Sequence, residues 1–200
     1  MKMVKHYFTN DSNLSDELNI IKEEINGISY RFYTDSGVFS KSRVDFGSVL
    51  LIKVLIEHLD GEGTFLDLGS GYGPIGIVVK RNFPKITVHQ TDINEKAVIL
   101  ASKNSELNKV TTKCYQSDGF SNIKEAFDVI SLNPPIRIGK QGVFALYDGV
   151  YNNLKEGGKC FIVIRKQQGA LSHLEYLKKL FKTTEVVRKS KGYYVIFMQK

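Results

Sequence analysis

The chain has 200 residues, of which 42% are hydrophobic and 24% charged, a balance typical of one globular domain. It has no run of 18 apolar residues, and its first twenty residues lack the apolar core of a signal peptide, so we expect a cytoplasmic protein without a membrane span. Cys114 and Cys160 fit no metal-ligand spacing and are expected to be reduced core residues.

The charge is unevenly distributed along the chain. The formal net charge is +7, with −2 over residues 1–60, 0 over residues 61–133 and +9 over residues 134–200. A basic C-terminal part attracts polyanions, because phosphates bound by Lys and Arg release condensed counterions. A basic surface that is merely solvated has the same composition, so the charge alone leaves both interpretations open.

The first predicted elements are a β-hairpin and a helix. Residues 20–33 place Asn26-Gly27 between two segments with partial apolar alternation, which predicts a hairpin with a two-residue turn. Asp45 is then a candidate helix N-cap, and apolar residues with helical spacing continue to about Leu59. We interpret residues 1–60 as an N-terminal extension of a single domain that covers residues 1–200.

From Thr64 onward, short apolar runs alternate with helical segments. Repeats of this length predict an α/β core over residues 61–200, with a mainly parallel sheet covered by helices on both faces. The predicted strands are 65–69, 86–92, 111–116, 127–133, 159–165, 183–189 and 193–199, and the predicted helices are 74–81, 94–105, 141–154 and 171–181.

The last two predicted strands differ from the others in their connection. Only Ser190 to Gly192 separate them, which leaves no room for a crossover helix, so they must pair antiparallel. The sequence therefore predicts a seven-stranded, mainly parallel sheet with an antiparallel last strand.

A glycine-rich loop follows the first strand of this sheet, at the position of the ligand crevice in open α/β sheets. Residues 69–76 read GSGYGPIG, which contains the dinucleotide pattern G-x-G-x-x-G and, with Asp67, also the pattern D-x-G-x-G-x-G. Charge favours the second interpretation, because a carboxylate at Asp67 repels a pyrophosphate but attracts the sulfonium and ammonium groups of S-adenosylmethionine. Gly69, Gly71 and Gly73 allow a ligand to approach the backbone.

Two further carboxylates end the next strands. Asp92 suits the ribose hydroxyls of a cofactor under either interpretation, and Asp118 suits an adenine amino group. An isolated Asp at a strand end is also an ordinary turn or helix-cap residue. Their placement at successive strand ends favours a shared ligand.

The fourth strand ends in Asn-Pro-Pro-Ile. Pro134 and Pro135 fix two φ angles, so the Asn133 amide and the Pro134 carbonyl are held rigidly as acceptors. An amino group on a base or an amide is a poor nucleophile because its lone pair is delocalised. Two acceptors that bind its hydrogens can turn that lone pair toward a methyl donor. The alternative is a strand that simply ends in a proline turn.

These segments together resemble the class I amino-methyltransferases, which have a Rossmann-like fold. NPPIRIGK at 133–140, with SGVFSKSRVDFGSVLL at 36–51, is similar to the ribosomal RNA small subunit methyltransferase C family, and the similarity runs from about Asp35 to Gly192. The resemblance implies methyl transfer from S-adenosylmethionine to the exocyclic N2 of a guanine in 16S RNA. Larger members carry a second, degenerate methyltransferase-like domain, which these 200 residues do not accommodate.

The resemblance also implies which residues bind the cofactor. Asp67 and the three loop glycines, Gly69, Gly71 and Gly73, are expected against its methionine part. Asp92 is then expected at the ribose and Asp118 at the adenine. Phe39 and Asp45 resemble the upstream segment that closes over the cofactor.

The Asn-Pro-Pro-Ile turn is the catalytic site that the resemblance implies. Asn133 and Pro134 are expected to bind the target amine, supported by Pro135 and Ile136. Many relatives have an aromatic residue where this chain has Ile136, so a flat stacking platform is absent there. Apolar contact from Ile136 and a contact from Arg137 are the substitutes we expect.

Four basic residues follow strand ends on the edge of the predicted site: Arg137, Lys140, Arg165 and Lys166. They are candidate phosphate contacts, although a solvated surface is again the alternative. Because a paired base hides its amino group, the target guanine must be unpaired or extruded. We therefore expect ribosomal RNA or the small ribosomal subunit as partner, no metal, and a monomer or weak dimer.

Other functions share some of these features. A protein glutamine N-methyltransferase also uses Asn-Pro-Pro, because an amide nitrogen poses the same chemical problem. A nicotinamide-dependent oxidoreductase is disfavoured by Asp67 and the proline turn. A non-catalytic RNA-binding domain is disfavoured by the complete set of cofactor residues.

Overall fold

The computed structural model describes residues 18–35 and 43–200. Within these ranges no helix is long and apolar enough to cross a membrane. In chain order the elements are β1 (Asn19–Ile25), β2 (Ile28–Thr34), α1 (Phe46–His58), β3 (Thr64–Leu68), α2 (Pro74–Asn82), β4 (Thr87–Asp92), α3 (Glu95–Leu107), β5 (Lys113–Gln116), β6 (Phe127–Leu132), α4 (Gly139–Asn153), β7 (Leu154–Arg165), α5 (Ala170–Leu180), β8 (Thr183–Ser190) and β9 (Tyr193–Gln199).

The main sheet has seven strands in the order β5-β4-β3-β6-β7-β9-β8. The strands from β5 to β7 are parallel to one another, whereas β9 lies between β7 and β8 and is antiparallel to both. The predicted fold class, including the inserted antiparallel strand, is confirmed. The chain moves outward from β3 to β5 and then returns to the other side of β3, so β3 and β6 flank a topological switch point. Ligands of open α/β sheets bind at the carboxyl ends of the strands beside such a point.

Helices cover both faces of the sheet. Because successive strand residues point to opposite faces, Phe65 packs against α1, α2 and α3 while its neighbour Leu66 packs against α4 and α5. The same alternation separates Phe161 from Ile162 on β7. The two resulting hydrophobic clusters fix the sheet rigidly between the helical layers.

The N-terminal hairpin is attached to α3 through two asparagines. The Asn104 amide bonds both the N–H and the C=O of Tyr33, at 2.6 and 3.0 Å, and the Asn108 amide bonds both backbone groups of Arg31, at 3.2 and 2.7 Å. Asn104 lies in α3 and Asn108, four residues later, is its C-cap, so both lie on one face of the helix. Each amide makes the two hydrogen bonds that a neighbouring strand would make. The backbone N–H and C=O groups of Arg31 and Tyr33 on the outer edge of β2 therefore have partners.

Several predicted boundaries differ from the observed ones by one or two residues, as at the start of β5 and the end of α3, and the starts of α4 and β7 differ for identifiable reasons. α4 begins at Gly139 and not at 141, because a short 3-10 turn over Ile136–Ile138 leads directly into it. β7 begins at Leu154 and not at 159, because Leu154 pairs with Phe127 across a register shift that Gly157, at φ 73°, accommodates. At the start of β7 a glycine pattern that suggests a loop is thus overridden by tertiary pairing with β6.

Candidate functional site

Most of the predicted site residues lie along one edge of the main sheet. The strands β5, β4, β3, β6 and β7 are neighbours in this order, and their carboxyl ends lead into Asp118, Asp92, the glycine loop, Asn133 and Arg165. Neighbouring strands lie about 4.8 Å apart, so the row spans roughly 20 Å. We call this row the carboxyl edge and the opposite row the amino edge.

The glycine loop has an open part and a packed part. Gly69 and Gly71 have φ values of +69° and +57°, and a Cβ built on either would meet no atom within 4 Å. A Cβ on Gly73 or Gly76 would instead lie 2.7 Å from Gln90. The first pair forms a backbone cradle that a side chain would fill, and the second pair allows α2 to pack closely against β4. The structure thus places Gly73 toward the interior.

Asp67 lies beneath this loop and not within it. Its side chain is 1% exposed, and its two carboxylate oxygens accept bonds from the Gly76 N–H at 3.1 Å and the Ser131 hydroxyl at 3.1 Å. Burial raises the pKa of Asp67 to about 7, against the lowering effect of these two bonds. Asp67 therefore holds the loop to the ends of β3 and β6.

Asp92 connects β4 to the same loop. Its carboxylate accepts from the Gly71 N–H at 2.9 Å and from the Asn94 N–H at 2.9 Å, and the Ser117 N–H donates to its carbonyl at 3.0 Å. A carboxylate has about four acceptor sites, so the Asp92 carboxylate can accept a further donor. Asp118, one residue past Ser117, is exposed.

The two carboxylates make the loop electronegative. Burial is the main cause that raises the pKa of Asp92 as well as that of Asp67, and the charge of Asp92 raises the pKa of Asp67 further. Within residues 18–35 and 43–200 neither carboxylate forms a salt bridge. A cationic ligand lowers the cost of both buried charges, whereas a pyrophosphate increases it.

The Asn133 side chain is held by the start of α1. Its Nδ2 donates to the Ser48 hydroxyl at 3.1 Å and lies 3.4 Å from an Asp45 carboxylate oxygen. A carboxylate only accepts hydrogen bonds, so the amide nitrogen must be the atom that faces Asp45. The carbonyl oxygen Oδ1 has no hydrogen-bond donor among the described residues, and it remains available as an acceptor.

Asp45 acts at two points. It caps α1 by accepting from the Ser48 N–H at 3.2 Å with the same oxygen that faces Asn133. The structure thus places Asp45 against Asn133, while Phe39, the other residue predicted from the upstream segment, lies outside the described residues.

The rest of the Asn-Pro-Pro-Ile turn is exposed to different degrees. Pro134 is buried, Pro135 is exposed and Ile136 is half-buried at the start of the 3-10 turn. Ile138, two residues later, is 42% exposed. The outer side of the turn is therefore apolar and open.

The four predicted basic residues are all exposed on the carboxyl edge. The Lys140 ammonium lies 5.4 Å from the ring centroid of Phe144, and the Arg165 guanidinium lies 4.8 Å from that of Tyr193. Lys166 begins the 3-10 turn after β7, and Arg137 lies in the 3-10 turn before α4.

Three polar residues that support the site escaped the sequence-based prediction. Ser48 and Ser131 bond Asn133 and Asp67 as described, and the Asn104 amide also donates to the Tyr72 carbonyl in the glycine loop at 2.9 Å. Only Ser48 carried a usable pattern, because a residue three after an N-cap lies beside it on the first helical turn.

Comparison with known proteins identifies a family and several relatives. The family described as "Methyltransferase small domain" matches residues 29–197. YbxB of Bacillus subtilis (strain 168) is 44% identical over 99% of this chain and 100% of its own length. Ribosomal RNA small subunit methyltransferase C of Haemophilus ducreyi is 35% identical over 78% of this chain and 48% of its own length.

The solved structures show the same relationship. The 16S rRNA N2 methyltransferase RsmC of T. thermophilus, in complex with AdoMet and guanosine, superposes with a TM-score of 0.82 at 27% identity. The match covers 94% of this chain and 51% of that one. The chain thus spans about half the length of the methyltransferase C relatives, and the resemblance found in the sequence is confirmed.

Proposed function

Because the chain belongs to the methyltransferase small domain family, whose members are S-adenosylmethionine-dependent methyltransferases, we propose that it methylates the exocyclic N2 of an unpaired guanine in 16S ribosomal RNA. The observation that carries this proposal is the fixed Asn133 amide. Its Nδ2 is held by Ser48 and Asp45, and its Oδ1 is left for a donor from outside the protein. An amino group is such a donor.

The residues of the glycine loop fit S-adenosylmethionine. Gly69 and Gly71 provide the open cradle, and Asp67 and Asp92 provide the negative potential that suits a ligand with a sulfonium and an ammonium group. Asp67 acts through space from beneath the loop, because it is fully buried there. Asp92 keeps lone pairs for ribose hydroxyls, and Asp118 lies exposed beside it. The cofactor, when bound, supplies an activated methyl group and a neutral thioether leaving group.

The protein's own residues then have to align the amine. Asn133 Oδ1 and the Pro134 carbonyl accept the hydrogens of the amine, which directs its lone pair away from the turn and toward the switch point between β3 and β6. Alignment of two bound reactants lowers a barrier by about 7 to 11 kcal/mol when the geometry is right. No covalent nucleophile is needed for this reaction.

RNA is the acceptor that the relatives favour. Methyltransferase C relatives and the RsmC structure are named for action on the small subunit RNA, and the RsmC structure holds guanosine. The exposed Arg137, Lys140, Arg165 and Lys166 suit RNA phosphates on the same edge. Ile136, half-buried on the outer side of the turn, offers apolar contact to the base in place of an aromatic ring.

The proposal is tested by transfer of radiolabelled methyl from S-adenosylmethionine to three acceptors: naked 16S RNA, assembled small subunits and total protein. We expect label in RNA from the first or second acceptor. Label in protein alone would establish the glutamine methyltransferase alternative instead. Calorimetry with S-adenosylmethionine and with NADH tests the cofactor separately, and binding of NADH alone would overturn it.

A further inference from the structure

We infer that the turn between β8 and β9 is part of the RNA-binding surface, where Lys189 and Lys191 join Arg165 in contacts to phosphates beside the target nucleotide. This inference rests on the proposed function for its substrate class. We call these three residues the cation cluster. Lys189 and Lys191 carried no functional prediction from the sequence.

Each member of the cation cluster lies over an aromatic ring. The distances from the charged group to the ring centroid are 4.8 Å for Arg165 on Tyr193, 4.9 Å for Lys189 on Tyr194 and 4.9 Å for Lys191 on Phe46. Such contacts restrict long side chains without neutralising their charge. The three charges are therefore partly ordered before any ligand arrives.

The same residues have no acidic partner in the part of the chain that the structure describes. The salt bridges recorded there involve other cations, and Arg165, Lys189 and Lys191 are all exposed. A surface of this kind favours an anion with several charges. Phosphates of single-stranded RNA are spaced closely enough to contact neighbouring cations together.

The backbone of Lys191 adopts a left-handed conformation that is unfavourable for lysine. The two-residue turns Asn26-Gly27 and Lys191-Gly192 have the same left-handed geometry, with φ values of 50° and 76° in the first and 46° and 78° in the second. This geometry favours Asn, Asp or Gly at the first position and disfavours Lys. The first hairpin has the favoured residue, whereas the second has a cation directed at Phe46.

The cation cluster lies next to the proposed amine site. Phe46, under Lys191, directly follows Asp45, whose carboxylate faces Asn133. The Phe46 and Tyr193 ring centroids are 5.4 Å apart, and the Lys166 N–H donates to the Gly192 carbonyl at 2.8 Å. The turn is thus joined to the basic loop after β7, and the two form one continuous basic surface.

The test measures affinity for a labelled 16S RNA transcript as a function of salt, without cofactor, so that binding is read independently of methyl transfer. Lys189→Gln/Lys191→Gln is expected to weaken binding roughly tenfold and to lower the slope of log K against log salt by about 1.5. The matched control is Lys178→Gln/Lys179→Gln, which removes two charges from the last turn of α5 at the amino edge. It is expected to leave affinity and slope near those of the wild type.

A single variant separates binding from folding. Lys191→Asn introduces the residue that the turn favours, so the melting temperature is expected to stay the same or rise while RNA affinity falls. Equal losses in the Lys189/Lys191 variant and in the control, or no loss in either, would overturn the inference. Failure of the proposed function has a different result, namely no methyl transfer to RNA by the wild type.

Discussion

The two edges of the main sheet carry similar charged and polar residues, but these residues have different contacts at each edge. At the amino edge the charges are paired, with Lys155 on Asp128 at 2.8 Å and Lys159 on Asp60 at 2.7 Å. At the carboxyl edge the cation cluster lies over aromatic rings, and the Asn133 Oδ1 has no donor among the described residues.

The two edges differ in whether their charged and hydrogen-bonding groups form contacts within the protein. Exposed ion pairs contribute little to stability, about 0 to 1 kcal/mol each, so each pair at the amino edge stabilises the fold only slightly. The Asn133 Oδ1 and the cation cluster at the carboxyl edge remain available for ligands. If this is right, matched substitutions at the two edges should have different consequences.

The largest expected difference is in the rate of methyl transfer after substitution of two asparagines, one at each edge. Asn133→Ala should reduce methyl transfer on the order of 10² to 10³-fold, because it removes a preorganised acceptor from the reacting amine, and should leave cofactor affinity unchanged. Asn153→Ala is the control, since the side chain of Asn153 donates to the Gly149 carbonyl at 2.8 Å and has no other hydrogen-bond partner among the described residues. Initial rates with saturating cofactor measure the effect, and similar rates for both variants would contradict the proposed role of Asn133.

A second difference is expected within the glycine loop. Gly71→Ala places a methyl group in the open cradle and should weaken S-adenosylmethionine binding at least about tenfold, at a folding cost of about 1 to 2 kcal/mol. Gly76→Ala places its methyl group 2.7 Å from Gln90 and should cost about 1 to 3 kcal/mol of unfolding free energy. Its folded fraction should bind the cofactor normally. Calorimetry and urea unfolding of both variants distinguish the two patterns.

Ser48 is expected to act through Asn133 as a positioning residue. Ser48→Ala removes one hydrogen bond to the Asn133 amide, worth about 1 kcal/mol, and should lower kcat roughly fivefold to tenfold while KM for S-adenosylmethionine stays constant. Ser48→Thr keeps the hydroxyl and should restore most of the activity. A change in cofactor KM without a change in kcat would place Ser48 at the cofactor instead.

The last expected difference concerns the pH dependence of stability, which should differ between two aspartates. Burial raises the pKa of Asp67 to about 7, so between pH 4 and 7 the folded state keeps a proton that the unfolded state has lost. Stability therefore falls as the pH rises through this interval, by at most about 1.4 kcal/mol per pH unit, and is constant above it. Asp67→Asn should remove this slope, although Asp92 adds one of the same sign.

Asp128, at the amino edge, is expected to change the stability with pH in the opposite direction. Burial alone raises its pKa, but the bonds from Lys155 and Thr64 outweigh burial and lower it. Its contribution to stability is present above the pKa of the unfolded chain and is lost as the pH falls through the folded value. Asp128→Asn should therefore weaken the protein at neutral pH. Urea unfolding from about pH 2 to 8 covers the intervals of both aspartates, and parallel profiles for the two variants would contradict the contrast.

Most of the fold follows from local patterns in the sequence. The alternation of strands and helices, the Asn26-Gly27 turn and the short connection at Ser190 to Gly192 each determine a feature that the structure confirms. The start of β7 does not follow, because its first five residues become a strand only through pairing with β6 across a shift in register.

The candidate site follows only in part. Strand order places Asp92 and Asn133 on one edge, and this is deducible once the sheet is known. The partners of Asn133 are not deducible, because Ser48 lies 85 residues away and contacts it through the packing of α1. Glycine spacing likewise does not reveal that Gly71 faces open space while Gly73 faces Gln90.

The most direct measurement of the central proposal is the identity of the methylated nucleoside. Small-subunit RNA incubated with the protein and S-adenosylmethionine is digested and analysed by mass spectrometry beside a parallel sample treated with the Asn133→Ala variant. We predict N2-methylguanosine with the wild type and its near absence with the variant. A different methylated nucleoside, or equal amounts of N2-methylguanosine in both samples, would contradict the account.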